Sequence, residues 1–223
     1  MFYLAPEGRR LIYFSFAIFV FLSLIHPLFS IPFLVIFFFL VYFFRDPERE
    51  IPQDNNLILS PADGRVLEVV ESYDNRFLKS EAKKVSIFMS LLNVHVNRSP
   101  IDGKVVYRDY VRGFKKMAFG SKSSKLNERS YLGIEGKIKV LLVQVAGFVA
   151  RRIVTYPKEG DFLRKGDRIG IIKFGSRVDL YLPTSVELFV KVGDRVKAGE
   201  TILGVINKDE NEERKVAELS NER

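Results

Sequence analysis

The sequence predicts a mainly β, barrel-sandwich-like soluble domain preceded by an N-terminal hydrophobic helical hairpin. Three observations carry this reading. From about Asn55 to Asn207, short Val, Ile and Leu runs alternate with Gly, Asp-Gly and Gly-Asp turns, the pattern of strands joined by tight connections. Two pairs of segments echo each other. Ser60-Pro61-Ala62-Asp63-Gly64-Arg65-Val66 resembles Ser99-Pro100-Ile101-Asp102-Gly103-Lys104-Val105. Lys165-Gly166-Asp167-Arg168-Ile169 resembles Val192-Gly193-Asp194-Arg195-Val196, with Ala198-Gly199-Glu200 closing the latter. Such turns before apolar strands suit a barrel built from hairpins. Finally, Leu11 to Phe44 is almost wholly apolar.

That apolar run is too long for one untilted membrane span of about 20 residues and a little short for two. His26-Pro27 and Ile31-Pro32 break it near the middle, so a helical hairpin turning between His26 and Pro32 is expected. Arg9-Arg10 precede it and Arg45 and Arg49 follow it, which places both ends on the cytoplasmic side of the cell membrane. No small-residue cleavage site follows the run, which argues against a signal peptide. Arg45 to Pro52 is charged, contains two prolines, and reads as a linker. Three units result: residues 1–50 as hairpin and linker, 51–207 as the β-rich domain, and 208–223 as a charged tail. Strands are expected over Gly64–Val70, Lys84–Phe88, Gly103–Tyr107, Ile138–Val145, Arg168–Ile172, Val178–Leu182 and Thr201–Ile206, and a helical segment over Gly147–Ile153.

Composition narrows the chemistry. The 223 residues include no cysteine, which excludes a disulfide framework, a thiol nucleophile and a cysteine metal site. His26 and His95 are the only histidines, so a His-rich metal centre is excluded too. His26 lies at the break in the apolar run and reads as a turn or interfacial residue. The formal net charge of +8 suits an anionic partner, whether nucleic acid or an acidic lipid surface.

The most informative stretch is Arg168 to Leu180. Gly175 interrupts a strand-like run, which suggests a bulge or a close backbone approach. A serine directly after such a glycine has two readings. It is a bulge residue, or its hydroxyl attacks the preceding carbonyl carbon. The attack would convert the amide to an ester. Elimination and hydrolysis would leave one chain ending at Gly175 and a second beginning with a pyruvoyl group made from Ser176. That ketone electrophile can do Schiff-base chemistry without an added cofactor. His95, the one histidine of the β-rich domain, is a hydrogen-bonded core residue or, since it sits among Asn93, Asn97 and Arg98, polar company for a core strand, a general base. As a base it needs an orienting acid. Asp63 and Asp102 are the candidates, and Asp102 reads as an ordinary turn aspartate.

Five blocks occur in order: Ser60-Pro-Ala-Asp-Gly64; Asn93-Val-His-Val-Asn-Arg-Ser-Pro100; Asn127-Glu-Arg129; Gln144-Val-Ala-Gly147 with Ala150-Arg-Arg-Ile153; and Arg168 through Gly175-Ser176. Together they resemble the short, membrane-associated prokaryotic form of phosphatidylserine decarboxylase, archaetidylserine-specific relatives included. The likeness runs from about Arg45 to Ile206. It implies self-cleavage between Gly175 and Ser176, a covalent pyruvoyl cofactor from Ser176, no metal, and a catalytic set of Asp63, His95 and Ser176. Longer family members carry a second histidine three positions on, where this chain has Arg98. The implied partners are phosphatidylserine or a related serine phospholipid, membrane lipids and the protein's own two chains after cleavage, with a homo-oligomer left open and no nucleic acid. Arg151 and Arg152 are candidates for the lipid phosphate. Lys115, Lys116, Lys122 and Lys125 suggest a basic loop.

Two other readings compete. The strand pattern also resembles the flattened barrels of biotin- and lipoate-carrying domains, which would make Lys173 an attachment site. Lys173 lacks the flanking methionines of such loops, and a carrier has no use for His95. A membrane-anchored nucleic-acid binder rests on charge alone and lacks a recognisable reader motif.

Overall fold

The structure is a computed structural model that describes residues 2–113, 127–147, 152–173 and 176–206. The apolar run folds as two helices, α1 (Arg9–Ile25) and α2 (Pro27–Phe43). The break between them is His26 alone, with φ −159° and ψ 120°. Its backbone N–H closes α1 on the Leu22 carbonyl at 2.9 Å, and its Nδ1 accepts the Leu28 N–H at 3.3 Å to cap α2. Pro27 fits the first helical position, where its missing donor costs nothing. The turn is therefore narrower than the predicted His26–Pro32. Pro32 lies inside α2, where it removes one donor and the helix continues through it. Pro6–Ile25 is 20 residues long and apolar enough to cross a membrane, whereas the apolar Pro27–Phe43 helix is shorter. The helices pack through rings such as Phe16 and Phe37, 5.3 Å apart.

A short strand pair closes the open end of the hairpin: β1 (Phe2–Leu4) against β2 (Arg45–Pro47). The rest of the described chain is strand and turn. In order these are β3 (Leu57–Leu59), β4 (Gly64–Asp74), β5 (Ser80–Met89), β6 (Val96–Arg98), β7 (Gly103–Val111), β8 (Arg129–Glu135), β9 (Lys139–Ala146) and β10 (Ile153–Thr155). There follow β11 (Phe162–Leu163), β12 (Arg168–Ile172), β13 (Ser176–Pro183), β14 (Val186–Leu188), β15 (Arg195–Val196) and β16 (Ile202–Ile206). An eight-stranded antiparallel sheet runs β11-β7-β8-β9-β13-β5-β4-β15. It curls as a half-barrel. Two three-stranded sheets, β10-β12-β6 and β14-β16-β3, complete the β region. The main core includes Val66, Ile87, Met89, Leu142, Ile172, Val178 and Leu203. The chain is thus mainly β with an N-terminal apolar helix pair, as the sequence predicts. The predicted helix at Gly147–Ile153 falls largely on residues outside the described set, and Ile153 itself opens β10.

The sequence echoes are real in space, with one shift of register. Ser60 Oγ donates to the Ala62 carbonyl at 2.8 Å, and Ser99 Oγ donates to that of Ile101 at 2.7 Å. Asp63 Oδ1 accepts the Ala198 N–H and Asp102 Oδ1 accepts the Lys165 N–H, both at 2.8 Å. The Gly193 N–H bonds the Val66 carbonyl as the Gly160 N–H bonds that of Val105. The spatial counterpart of Lys165-Gly166 is therefore Ala198-Gly199, not Val192-Gly193. Two similar Gly turns follow each other in each half, and matching by sequence paired the wrong two. Ile51 packs against both Gly166 and Gly199 at the junction of the halves.

Candidate active site

Ser176 is the first residue of β13, opposite Met89 of β5 on one side and Ala146 of β9 on the other. Strand alternation turns its side chain toward the core, where it is fully buried. The hydroxyl donates to the Met89 sulfur at 3.3 Å. The same sulfur accepts from Asn97 Nδ2 at 3.6 Å. Asn97 Oδ1 accepts from Gln144 Nε2 at 2.9 Å, Gln144 Oε1 accepts from the Thr155 hydroxyl at 2.7 Å, and Ser130 pairs with Thr155 at 2.7 Å. A polar chain thus runs from Ser176 across β5, β6, β9, β10 and β8 inside an apolar interior. Such a chain persists in a core only because its members satisfy one another. Gly175 lies outside the described residues. So do Arg151, the predicted basic loop and the charged tail.

His95 stands directly before β6, two positions from Asn97, and is fully buried. The Phe43 ring at the end of α2 covers it, with ring centroids 4.1 Å apart and planes 31° apart. Nδ1 lies 2.9 Å from the Asn93 carbonyl oxygen, which can only accept, so Nδ1 carries the proton. That leaves Nε2 with its lone pair, buried and without a hydrogen-bond partner among the described residues. Burial pushes the imidazole pKa down to about 4, the nearby Arg45 charge adds to this, and the Asn93 bond opposes it. His95 is therefore a neutral base with one open nitrogen.

Asp63 sits elsewhere in the network. Arg49 Nη2 reaches both of its oxygens at 2.9 Å, and Ala198 N–H reaches Oδ1. The orienting bond on His95 comes from Asn93. Asp102 makes the turn bond expected of it. Arg98 is buried and structural. It donates to the Gly166 carbonyl at 2.9 Å, to Asp46 Oδ1 at 2.9 Å and to the Pro47 carbonyl at 3.0 Å. Arg168 pairs with the other Asp46 oxygen. Lys173 is half-buried; burial lowers its pKa, the Glu7 charge opposes this and the Arg152 charge adds to it. Arg152 is exposed.

These residues can be compared with known proteins. A family model described as phosphatidylserine decarboxylase matches residues 36–204. The chain belongs to the phosphatidylserine decarboxylase family. A phosphatidylserine decarboxylase proenzyme of Syntrophotalea carbinolica is 47% identical over 206 residues, 91% of this chain and 96% of that protein. One from Carboxydothermus hydrogenoformans is 49% identical over 174 residues, covering 77% and 82%. One from Symbiobacterium thermophilum is 50% identical over 168 residues, covering 74% and 78%. Membership makes the chain an enzyme of the decarboxylase class. Within this phosphatidylserine decarboxylase relative, sequence reasoning named Asn97 only as polar company for His95 and did not single out Met89, Thr155, Ser130 or the Phe43 cover. Gln144 was visible as one polar residue sharing the inward parity of Val140 and Leu142. Met89 and Phe43 gave no signal, because each is an apolar residue among apolar neighbours.

Proposed function

We propose that the protein decarboxylates phosphatidylserine, or a closely related serine phospholipid, to the ethanolamine lipid by means of a pyruvoyl group made from Ser176. The observation that carries this is Ser176 itself. A fully buried serine opens a central strand, tied through Met89 and Asn97 to the strand that His95 precedes. His95 offers an open basic nitrogen, an orphan buried atom suited to a proton-transfer partner.

Maturation uses the chain's own groups. His95 Nε2 takes the Ser176 hydroxyl proton. Oγ bonds to the Gly175 carbonyl carbon, the Gly175–Ser176 amide bond breaks, and the freed nitrogen takes up the proton. Loss of the Ser176 α-proton with cleavage of the Cβ–Oγ bond leaves a Gly175 carboxylate and a dehydroalanine. One water then replaces its nitrogen and one ammonia departs. The resulting keto group supplies an electrophile for the substrate amine and a sink for the electrons left by carbon dioxide. In turnover, His95 Nε2 would take up a proton released by the substrate ammonium and return it to the substrate carbon, a role that typically contributes about 10²–10⁴-fold. Asn93 fixes its tautomer. Asp63 is bonded to Arg49 and the Ala198 N–H and not to His95, so in this reading it holds the surrounding turns rather than orienting the imidazole. Arg98 takes no proton-transfer part, so His95 serves both stages.

Residues 1–50 form the membrane-associated unit on the cytoplasmic face, 51–207 the decarboxylase domain cut at 175/176, and 208–223 the tail. A diacyl lipid stays in the bilayer, so the site must work at its surface. Arg152, exposed directly before β10, is the candidate for the lipid phosphate. Ser176→Ala should give one uncleaved, inactive chain on denaturing electrophoresis. Two chains from that variant would refute the assignment.

A further inference from the structure

The face of the large sheet opposite the core carries a second concave site. Arg177 directly follows Ser176, so its side chain points the other way. Arg177 and Arg129 both pair with Val145, one from each neighbouring strand, and Asp179 and Tyr131 likewise flank Val143. They line a cavity of about 630 Å³ whose floor includes Val143 and Val145. Arg177 is 3% exposed and Asp179 4%. Arg177 Nη2 donates to Asp179 Oδ2 at 2.8 Å. Among the described residues, Arg177 Nε, Arg129 Nε and Asp179 Oδ1 are buried with no hydrogen-bond partner.

The other charges lining the cavity are engaged. Arg76 pairs with Asp109 at 2.6 Å and lies 4.2 Å over the Tyr131 ring. Asp74 accepts the Arg76, Phe77 and Leu78 N–H groups. Lys84 pairs with Glu68 at 2.7 Å. Arg129 Nη1 donates to the Tyr131 hydroxyl at 2.9 Å, and what is left without a partner among the described residues is two buried guanidinium Nε–H donors and one buried carboxylate oxygen. Leaving such atoms unmet in a buried site is costly. A simple anion would satisfy the donors and crowd Asp179. A simple amine would do the reverse. A small zwitterion with a phosphate at one end and an ammonium at the other meets all three.

We propose that this cavity binds a phosphate-bearing zwitterion of the phosphoethanolamine class, at a site separate from Ser176. The shared chemistry is that of a free monoester and of a lipid headgroup. The site stands on its own lining and does not depend on the pyruvoyl reading.

The test is calorimetric titration of full-length, detergent-solubilised Ser176→Ala protein with phosphoethanolamine, dihexanoyl phosphatidylethanolamine and inorganic phosphate. Saturable phosphoethanolamine binding below about 10 mM is expected. Arg129→Gln, at the partly exposed rim, should weaken all binding at least about tenfold, as for a lost charged hydrogen bond. Asp179→Asn should weaken phosphoethanolamine and spare inorganic phosphate. Equal affinity for the short lipid assigns a headgroup, and binding of the soluble compound alone assigns a monoester; both support the site. Absence of saturable binding overturns it. So does binding lost in His95→Ala but kept in Arg129→Gln, since that places the ligand at the catalytic core. So does binding that disappears as protein concentration rises, since a second copy then covers the face.

Discussion

His95 has one ring nitrogen committed to a backbone carbonyl and the other open in a dry interior. Its protonated form is disfavoured on folding, so its pKa falls from about 6.5 in the unfolded chain to about 4. The sign follows. Between these values the unfolded chain binds the proton and the folded chain does not, so stability falls as pH drops from about 6.5 to about 4. The loss amounts to roughly 3 kcal/mol. Above about 6.5 this contribution is full and flat. Denaturant melts at pH 7 and pH 4.5 should show the drop in wild type and a smaller one in His95→Asn. Equal drops would mean that the imidazole is not held neutral. Gly170 makes a second case at this scale. With φ +155°, it brings β12 so close to β10 that an added Cβ would lie 2.1 Å from the Val154 carbonyl oxygen and 3.1 Å from Gln144 Nε2. Gly170→Ala should therefore break both the β10–β12 pairing and the polar chain behind Ser176, and lower the melting temperature. Ser176 and His95 were singled out in the sequence by the five ordered blocks and by His95 being the one histidine of the β-rich domain, whereas their burial and partners were not legible. Nor were the partners of Asp63, because Arg49 and Ala198 reach it from 14 and 135 residues away.

At the scale of elements, α2 also packs against the β region. Phe43 and Phe44 are fully buried in a small core with Val94, Val96 and Ile171, so the end of the hairpin seats on β6 and β12. Phe43→Ala should remove the cover over His95 and cost about 3–5 kcal/mol of local packing. Diethyl pyrocarbonate should then modify His95 faster than in the parent protein, read by peptide mass; an unchanged rate would mean the ring is no cover. The expected strands overlap β4, β5, β7, β9, β12, β13 and β16, and β12 matched to the residue, whereas β8, seven residues long, was not among them. β6, β10 and β14 have three residues each, too short to show a period of two. The hairpin break read two prolines as equal signals. Only the one after His26 coincided with a residue able to cap the next helix.

For the whole molecule, the seam between hairpin and β domain is ionic as well as apolar. Asp46 on β2 holds Arg98 and Arg168, and its pair with Arg98 is almost wholly buried. Asp46→Asn leaves Arg98 without its counter-charge. It should cost about 3–5 kcal/mol, seen as a lower melting temperature, whereas a change within error would show the pair to be solvated. Arg98 thus fastens the linker to the domain. The sequence showed the charges but not their pairing, because pairing depends on how the linker returns to the barrel. The central claim concerns a single bond, and intact mass of freshly purified wild-type protein reads it most directly. Two chains divided between positions 175 and 176 are predicted, with a hydrazide reagent adding only to the one that begins at 176. A single folded chain of 25.7 kDa that ignores the reagent would contradict the account.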